Sequence, residues 1–277
     1  MDLYTKSSFE CCKVITSNYS TSFSLGIKAF DKRFHNPIYS IYGFVRFADE
    51  IVDTFYNVDQ ETLLQNFKIE TYKALQLKIS MNPVLHAFQA TVNEYQIDLK
   101  LIEAFFKSME MDLKQTNYFP DTYQEYIYGS AEVVGLMCLQ VFCEHDPILF
   151  TNLEESARSL GSAFQKINFL RDIKSDFEDR GRTYFPNVDF LKFTRSDKKL
   201  IEEDIDSDFH QALAGIRKLP LGCRKGVYIA YTYYIELFKK IKLTGAETIS
   251  QKRIRISDKK KAWLLAQALL RHKLNAI

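Results

Sequence analysis

The sequence predicts an all-α protein, a bundle of about ten helices forming a single domain over residues 1–277. Three observations carry this. Hydrophobic residues make up 46% of the chain against only 10 Gly and 6 Pro, which suits packed helices better than turn-rich sheets. Apolar residues recur at helical spacings, and no stretch alternates convincingly like a strand. Helix-opening pairs, Asn36-Pro37, Asn82-Pro83 and Asp146-Pro147, punctuate the chain. No internal repeat, low-complexity segment or Pro/Gly/Ser linker divides it.

Residues 3–19 form the first predicted helix. Ser20, Thr21 and Ser22 follow, placed to cap the next turn or to donate to an anion, with Phe23 beside them. Asn36-Pro37 opens a strong helix to about Phe55, with Pro in its first turn. Residues 60–79, 82–95 and 99–114 give three more, the last carrying Phe105, Phe106 and Met109 for the core. Asp121-Thr122-Tyr123 starts a helix to about Phe142. Its small residues Gly129, Ser130, Ala131 and Gly135 serve close packing or make room for a ligand, since Gly costs roughly 1 kcal/mol against Ala in a helix. Asp146-Pro147 begins a long helix that ends near Gly181, kept slim by Ser156, Ser159, Gly161, Ser162 and Ala163. The loop after it brings Arg182 and Tyr184 towards the acidic face described below. Ser196 or Asp197 starts a helix to about Lys218, and 222–242 makes the next. There Tyr228, Tyr231, Tyr233 and Tyr234 fall on several faces, so at most one or two line a cavity. Ser257 caps a final helix to about Lys273, with Trp263, Leu264, Leu265, Ala268 and Leu269 for burial.

A net charge of +2 gives no global signal for nucleic acid. The five cysteines, Cys11, Cys12, Cys138, Cys143 and Cys223, are odd in number and contain no CxxC pair. That pattern predicts buried free thiols in a reducing compartment, the cytoplasm, rather than disulfides or zinc. The first residues hold no apolar signal-peptide core, and no apolar run approaches membrane-spanning length, so neither is expected. The 22 Phe and 16 Tyr supply a core, and would also wall a pocket for a long apolar ligand.

The chemistry is concentrated in two stretches. Gln165, Asn168, Asp172 and Asp176 are spaced 3, 4 and 4, so at about 100° per residue they share one narrow arc of a helix. Ile167, Leu170, Ile173 and Phe177 lie opposite and pack. Tyr42, Arg46, Asp49 and Asp53 repeat the pattern at 4, 3 and 4, opposite Phe44, Val45, Ala48, Ile51, Val52 and Phe55. Each stretch alone would pass for an ordinary wet helix face. Carboxylates four apart destabilise a bare helix, and a shared cation reverses that sign. If the two faces meet across a bundle, four carboxylates and Asn168 enclose one polar spot. Oxygen-only ligands favour Mg²⁺ or Mn²⁺ over zinc. Arg46, Arg171, Lys174 and Arg182 suit an anionic ligand. A di-iron bundle would want Glu-x-x-His pairs, and a glycosidase would not need both pairs in helical register.

These residues resemble the two signature regions of the squalene/phytoene synthases. Asp49-x-x-x-Asp53 matches the first, and Gln165-x-x-Asn168-x-x-Arg171-Asp172-x-x-x-Asp176 with Arg182-Thr-Tyr184-Phe-Pro the second. Tyr19-Ser-Thr-Ser-Phe resembles the family's early Ser-Phe region, Tyr42 and Arg46 its Tyr and Arg, and Tyr126 to Met137 its Tyr-rich, small-residue helix. Tyr234 and Arg253 fall where that family has a cavity Tyr and a phosphate-facing Arg. Glu132 departs from it, standing where Gly is usual, and bears on cavity shape.

The resemblance implies an isoprenoid-synthase-type helical bundle around a central cavity. It implies head-to-head joining of two prenyl diphosphates with Mg²⁺ (Mn²⁺ as a substitute) and without NADPH. Asp49, Asp53, Asn168, Asp172 and Asp176 would hold metal; Asp49, Asp53, Asp172, Asp176, Tyr42 and Arg46 would act in catalysis. Ser20, Ser22, Phe23, Gln165, Asn168, Arg171, Arg182, Tyr184, Tyr234 and Arg253 would bind substrate. Length and the tail Thr244-Gly-Ala-Glu-Thr … Lys252-Arg253-Ile-Arg-Ile look most like bacterial phytoene synthases, implying geranylgeranyl diphosphate and carotenoid biosynthesis. The alternatives are a C30 synthase using farnesyl diphosphate and a non-catalytic lipid-binding or assembly protein on the same fold. The basic run over 251–261 and the amphipathic final helix suit peripheral contact with an anionic membrane.

Overall fold

The computed structural model describes residues 1–114, 118–188, 192–249, 251, 253–257, 259–261, 263–264 and 266–267. Helices dominate: α1 (Leu3–Tyr19), α2 (Thr21–Lys28), α3 (Lys32–Asp53), α4 (Gln60–Leu77), α5 (Pro83–Tyr95) and α6 (Leu99–Lys114) come first. Then α7 (Pro120–Ile127) runs through a π-helical turn, Tyr128–Glu132, into α8 (Val133–Cys143). Next are α9 (Pro147–Arg180), α10 (Arg195–Ile216), α11 (Leu221–Lys242) and the short α12 (Ala246–Ile249).

The helix starts follow capping chemistry. Asp2 accepts from the Thr5 backbone N–H (2.9 Å), Asp59 from Thr62 (3.0 Å) and Asn82 from Val84 (3.0 Å). Asp146 accepts from Leu149 at 2.9 Å, and Thr194 with Asp197 completes a reciprocal box at α10. Each such cap contributes about 1 kcal/mol. Asn36-Pro37 does not open its helix: α3 begins a turn earlier, and Pro37 sits inside it. The extra turn is held by Phe34, fully buried, and by the Asp31 N–H donating to the Gly222 carbonyl at 2.8 Å.

Among the described residues, two apolar clusters form the core. In one, Phe44 of α3 stacks on Phe88 at 3.8 Å and meets Phe67, Phe105 and Phe106. The other gathers Ile167 and Leu170 of α9, Phe209 of α10 and Leu237 and Phe238 of α11. The central α9 is about 50 Å long at 1.5 Å per residue. It packs on α8, the π turn, α10 and α11. Small residues let the backbones close in. A Cβ on Gly129 would come 2.4 Å from the Ala104 carbonyl oxygen, and one on Gly161 2.6 Å from that of Ala131.

Several details depart from the sequence reading. Pro120–Cys143 is long and apolar enough to cross a membrane, but it is packed at the centre of the bundle. Cys11 is exposed, while Cys12, Cys143 and Cys223 are buried. Trp263, expected in the core, is 52% exposed; Leu264 takes the inward position about 100° away and is buried. Leu265, Ala268 and Leu269 lie outside the described residues, as does Lys252.

Candidate active site

The apolar side of α3 is fixed by Phe44, Ala48, Ile51 and Val52, all buried, and that fixes where its other side points. Ile167 and Leu170, fully buried, do the same for α9. As a result Tyr42, Arg46, Asp49 and Asp53 from α3 and Gln165, Asn168, Arg171, Asp172 and Asp176 from α9 line one cavity of about 700 Å³. Ser20, Phe23, Tyr184, Tyr234 and Arg253 line it too. The two acidic rows, 119 residues apart from Asp53 to Asp172, therefore meet.

Aromatic rings stand beside the acids. Tyr234 stacks on Phe164 at 3.8 Å and donates to Asn168 Oδ1 at 3.3 Å. Phe23 leans on Tyr42 (5.8 Å), Phe164 and Tyr234 (both 6.2 Å). Burial pushes the Tyr42 hydroxyl up to about 12, so it keeps its proton at neutral pH. Of Tyr228, Tyr231, Tyr233 and Tyr234 on α11, Tyr234 alone belongs to the cavity wall.

Cations hold the acids in place. Arg46 pairs with Asp49 (3.8 Å) and with Glu50, and its guanidinium lies 4.3 Å over the Tyr19 ring. Its buried Nε has no hydrogen-bond partner among the described residues. Asp172 is gripped by Arg171 Nη2 at 2.5 Å and Arg253 Nε at 2.6 Å. Gly181 ends α9 in the left-handed region (φ 64°), and the Arg182 N–H donates to the Asp176 carbonyl at 2.8 Å. That cap turns Arg182 inward.

Two residues serve differently from their expected roles. Arg182 is buried behind the wall rather than in it. Its Nη1 donates to Asp53 Oδ1 (2.8 Å) and Tyr184 Oη (3.3 Å), and its Nη2 to the Val52 carbonyl (3.0 Å). It clamps the loop after α9 to the end of α3. Ser22 is absent from the wall, because it is rotated about 100° from Phe23 on α2; Ser20 caps that helix, accepting from the Phe23 N–H at 3.2 Å. Glu132 is also turned away. It pairs with Arg158 at 2.6 Å on the far side of the π turn, while Ser130, Ala131 and Gly135 face the lumen. The small residues thus serve both purposes: Gly129 for packing, Ser130 and Ala131 for space, and Gly135, where a Cβ would fall 2.9 Å from the Ala157 carbonyl oxygen, for both.

One acid escaped the sequence reading. Asp112 of α6 is buried in the wall beside Asp49 and Asp53. It accepts from Tyr126 (2.7 Å), Tyr118 (3.2 Å) and Tyr184 (3.3 Å), with Arg182 at 3.6 Å. The signal was present: Ile102, Phe105, Met109 and Asp112 step by 3, 4 and 3 along one buried stripe.

The electrostatics are unbalanced towards the negative. Desolvation first, then the neighbouring Asp53, raise the Asp49 carboxyl to about 7, with Asp112 adding to the push. Asp112 rises to about 6, again through desolvation, against the opposing pull of Arg182. Among the described residues no three acidic, His or Cys side chains converge tightly enough to cage an ion. The donor set nevertheless fits a hard divalent cation that takes one or two carboxylates from the protein and the rest from phosphate and water.

A sequence profile of the family "Squalene/phytoene synthase" matches residues 16–260. The chain is 28% identical to 15-cis-phytoene synthase of Synechococcus elongatus, over 95% of this chain and 92% of that protein. It is 26% identical to 4,4'-diapophytoene synthase of Staphylococcus haemolyticus, over 72% of this chain and 70% of that one. A solved dehydrosqualene synthase shares the fold with a TM-score of 0.83 at 20% identity, covering 97% of this chain and 98% of its own. A squalene synthase from Alicyclobacillus acidocaldarius does so at 0.76 and 18%, covering 88% and 96%. The profile match spans most of the sequence, and with it the cavity and both acidic rows: the chain belongs to the squalene/phytoene synthase family and is a prenyltransferase.

Proposed function

We propose that the protein joins two geranylgeranyl diphosphates head to head, through a cyclopropyl diphosphate, to give phytoene for carotenoid biosynthesis. The observation that carries this reading is the shared cavity, with five aspartates and Arg46, Arg171 and Arg253 in a wall that is otherwise largely apolar and aromatic. Relatives named phytoene synthase support the C20 substrate.

Arg46, whose Nε has no partner among the described residues, and Arg171 and Arg253 receive the diphosphate oxygens. Magnesium, with manganese as a substitute, would be held by Asp49, Asp53, Asn168, Asp172 and Asp176 and would neutralise charge on the leaving diphosphate. The arginines are already oriented by their carboxylate partners, so they favour the developing charge with little reorganisation. As the C–O bond ionises, the faces of Tyr42, Phe23 and Tyr234 stabilise the allylic cation. Apolar walls keep out water that would trap it. The double bond of the second substrate then attacks the cation, and loss of a proton from the second substrate's C1 to the released diphosphate closes the cyclopropane. A second ionisation, rearrangement and proton loss complete the polyene without a hydride donor, so NADPH is not required.

The second reading is C30 synthesis from farnesyl diphosphate, supported by the 4,4'-diapophytoene synthase relative. Purified protein with Mg²⁺ and either substrate, with and without NADPH, separates the readings. A colourless C40 hydrocarbon formed without NADPH is expected. A C30 product from farnesyl diphosphate alone replaces the first reading with the second. No hydrocarbon from either substrate would leave a non-catalytic lipid-binding protein.

The same reading places a cytoplasmic enzyme against an anionic membrane. Lys259, Lys260 and Lys261, with Lys260 4.2 Å over the exposed Trp263 ring, supply the basic and aromatic groups for that contact. Salt-sensitive flotation with phosphatidylglycerol vesicles is the expected result; no binding removes this part of the reading.

A further inference from the structure

The cavity runs inward from the acids. Along α9 its wall extends from Asp172 back to Leu153, nineteen residues or about 28 Å. Along α7 and α8 it extends from Tyr126 to Phe142, sixteen residues or about 24 Å. At the inner end no charged group is among the described lining residues. Phe30, Phe142, Leu139, Leu153, Ile216 and Leu219 make the wall there.

Two rings of the lining meet at that end. Phe30 and Phe142 meet edge to face, with centroids 5.2 Å apart. Phe142 is braced from behind by Phe34, fully buried, at 5.5 Å and 90°. Phe30 lies directly on the backbone of Gly226: a Cβ there would fall 2.2 Å from its Cε1 and 2.3 Å from its Cδ1. Only a glycine permits that seat.

The main chain carrying Phe30 is tied down independently of its ring. Its N–H donates to the Ile27 carbonyl (3.0 Å), and its carbonyl accepts from His35 Nε2 (3.0 Å). The next residue, Asp31, donates to the Gly222 carbonyl at 2.8 Å. Removing the ring therefore deepens the tunnel without releasing the wall that holds it.

We propose that Phe30, seated on Gly226 and braced by Phe142, is the stop against which the end of a prenyl tail rests, and that it sets the accepted tail length. This rests on the proposed prenyl diphosphate reading. Each isoprene unit adds five carbons at the blind end, and a close-packed wall does not stretch to admit them. Even one methylene in a shaped apolar pocket shifts selectivity about tenfold or more.

The test offers C15, C20 and C25 prenyl diphosphates in competition with Mg²⁺, reading the hydrocarbons by mass spectrometry. The wild-type product defines the native tail. Phe30→Ala is expected to raise the ratio of kcat/KM for the substrate one isoprene longer over the native one at least tenfold, with Phe30→Leu intermediate. Melting by circular dichroism reports whether each variant folds. If Phe30→Ala does not fold, Phe30→Leu and Phe142→Leu carry the test, and a shift towards the longer tail in either supports the proposal. An unchanged ratio in the folded variants of an active enzyme overturns it alone. A wild type inert towards all three overturns the proposed function, and this inference with it.

Discussion

Asp112 shows how one side chain can tie a site together. Three tyrosine hydroxyls and Arg182 converge on its two oxygens, and Arg182 passes the connection to Asp53. Hydrogen bonds to a charged group contribute about 1.5–3 kcal/mol each, and Asp112→Asn turns a donor towards a cluster of donors. We expect that variant to lose about 2 kcal/mol of stability in urea denaturation and at least tenfold in turnover. Unchanged turnover would mean that the cluster holds the fold but not the reacting groups. The sequence made Asp49, Asp53, Asp172 and Asp176 legible because each has a partner four residues away, and periodicity converts such pairs into a face. A lone acid has no such pair. Asp112 was readable only as a carboxylate standing in an apolar stripe, which calls for buried partners that no sequence spacing names. The exact place of Arg182 was hidden for a similar reason: the turn at Gly181, not a helical register, decides where it points.

At the level of elements, the helices themselves were largely written in the caps. Asn82-Pro83 and Asp146-Pro147 mark their helices to within a residue; Asn36-Pro37 does not, because the buried Phe34 extends α3 backwards past the proline. The π turn of Tyr128–Glu132 was not visible, since one extra residue per turn looks like a small drift in periodicity. That turn sends Ser130 and Ala131 to the cavity, with Glu132 to Arg158. Its position depends on Gly129 fitting against Ala104 and Ser108. Gly129→Ala would press a methyl group to 2.4 Å from the Ala104 carbonyl oxygen, contact that only a backbone shift relieves. We expect a loss of about 1–3 kcal/mol of stability, measured by urea denaturation. Stability within 0.5 kcal/mol of wild type would show that α6 and the π turn part easily.

For the whole molecule the governing fact is charge gathered in one cavity. Asp49 and Asp112 hold protons more tightly in the folded chain than an unfolded carboxylate does, with values of about 7 and about 6. The folded state thus carries the extra protons between the ordinary carboxylate range and pH 7. Stability contributed by protonation is complete below that range and is lost as pH rises through about 6 and about 7. Without divalent cations, the melting temperature is expected to fall from pH 5.5 to 8, and Asp49→Asn to flatten the slope. Magnesium should raise the melting temperature more at pH 8 than at pH 6, because it binds the ionised form. A slope of opposite sign would mean that the acids are already neutralised within the protein. That two helix faces so far apart in sequence would share one cavity was implied by the family resemblance; periodicity alone gives each face but not their meeting.

The most direct test of that meeting is a Mn²⁺ titration followed by electron paramagnetic resonance, with inorganic diphosphate as the anion. Wild-type protein should bind Mn²⁺ more tightly when diphosphate is present. Asp49→Asn on α3 and Asp172→Asn on α9 should each abolish that gain while the helical circular dichroism signal stays intact. If either folded variant keeps the full diphosphate-dependent gain, the two acidic rows do not act on a common metal–diphosphate site.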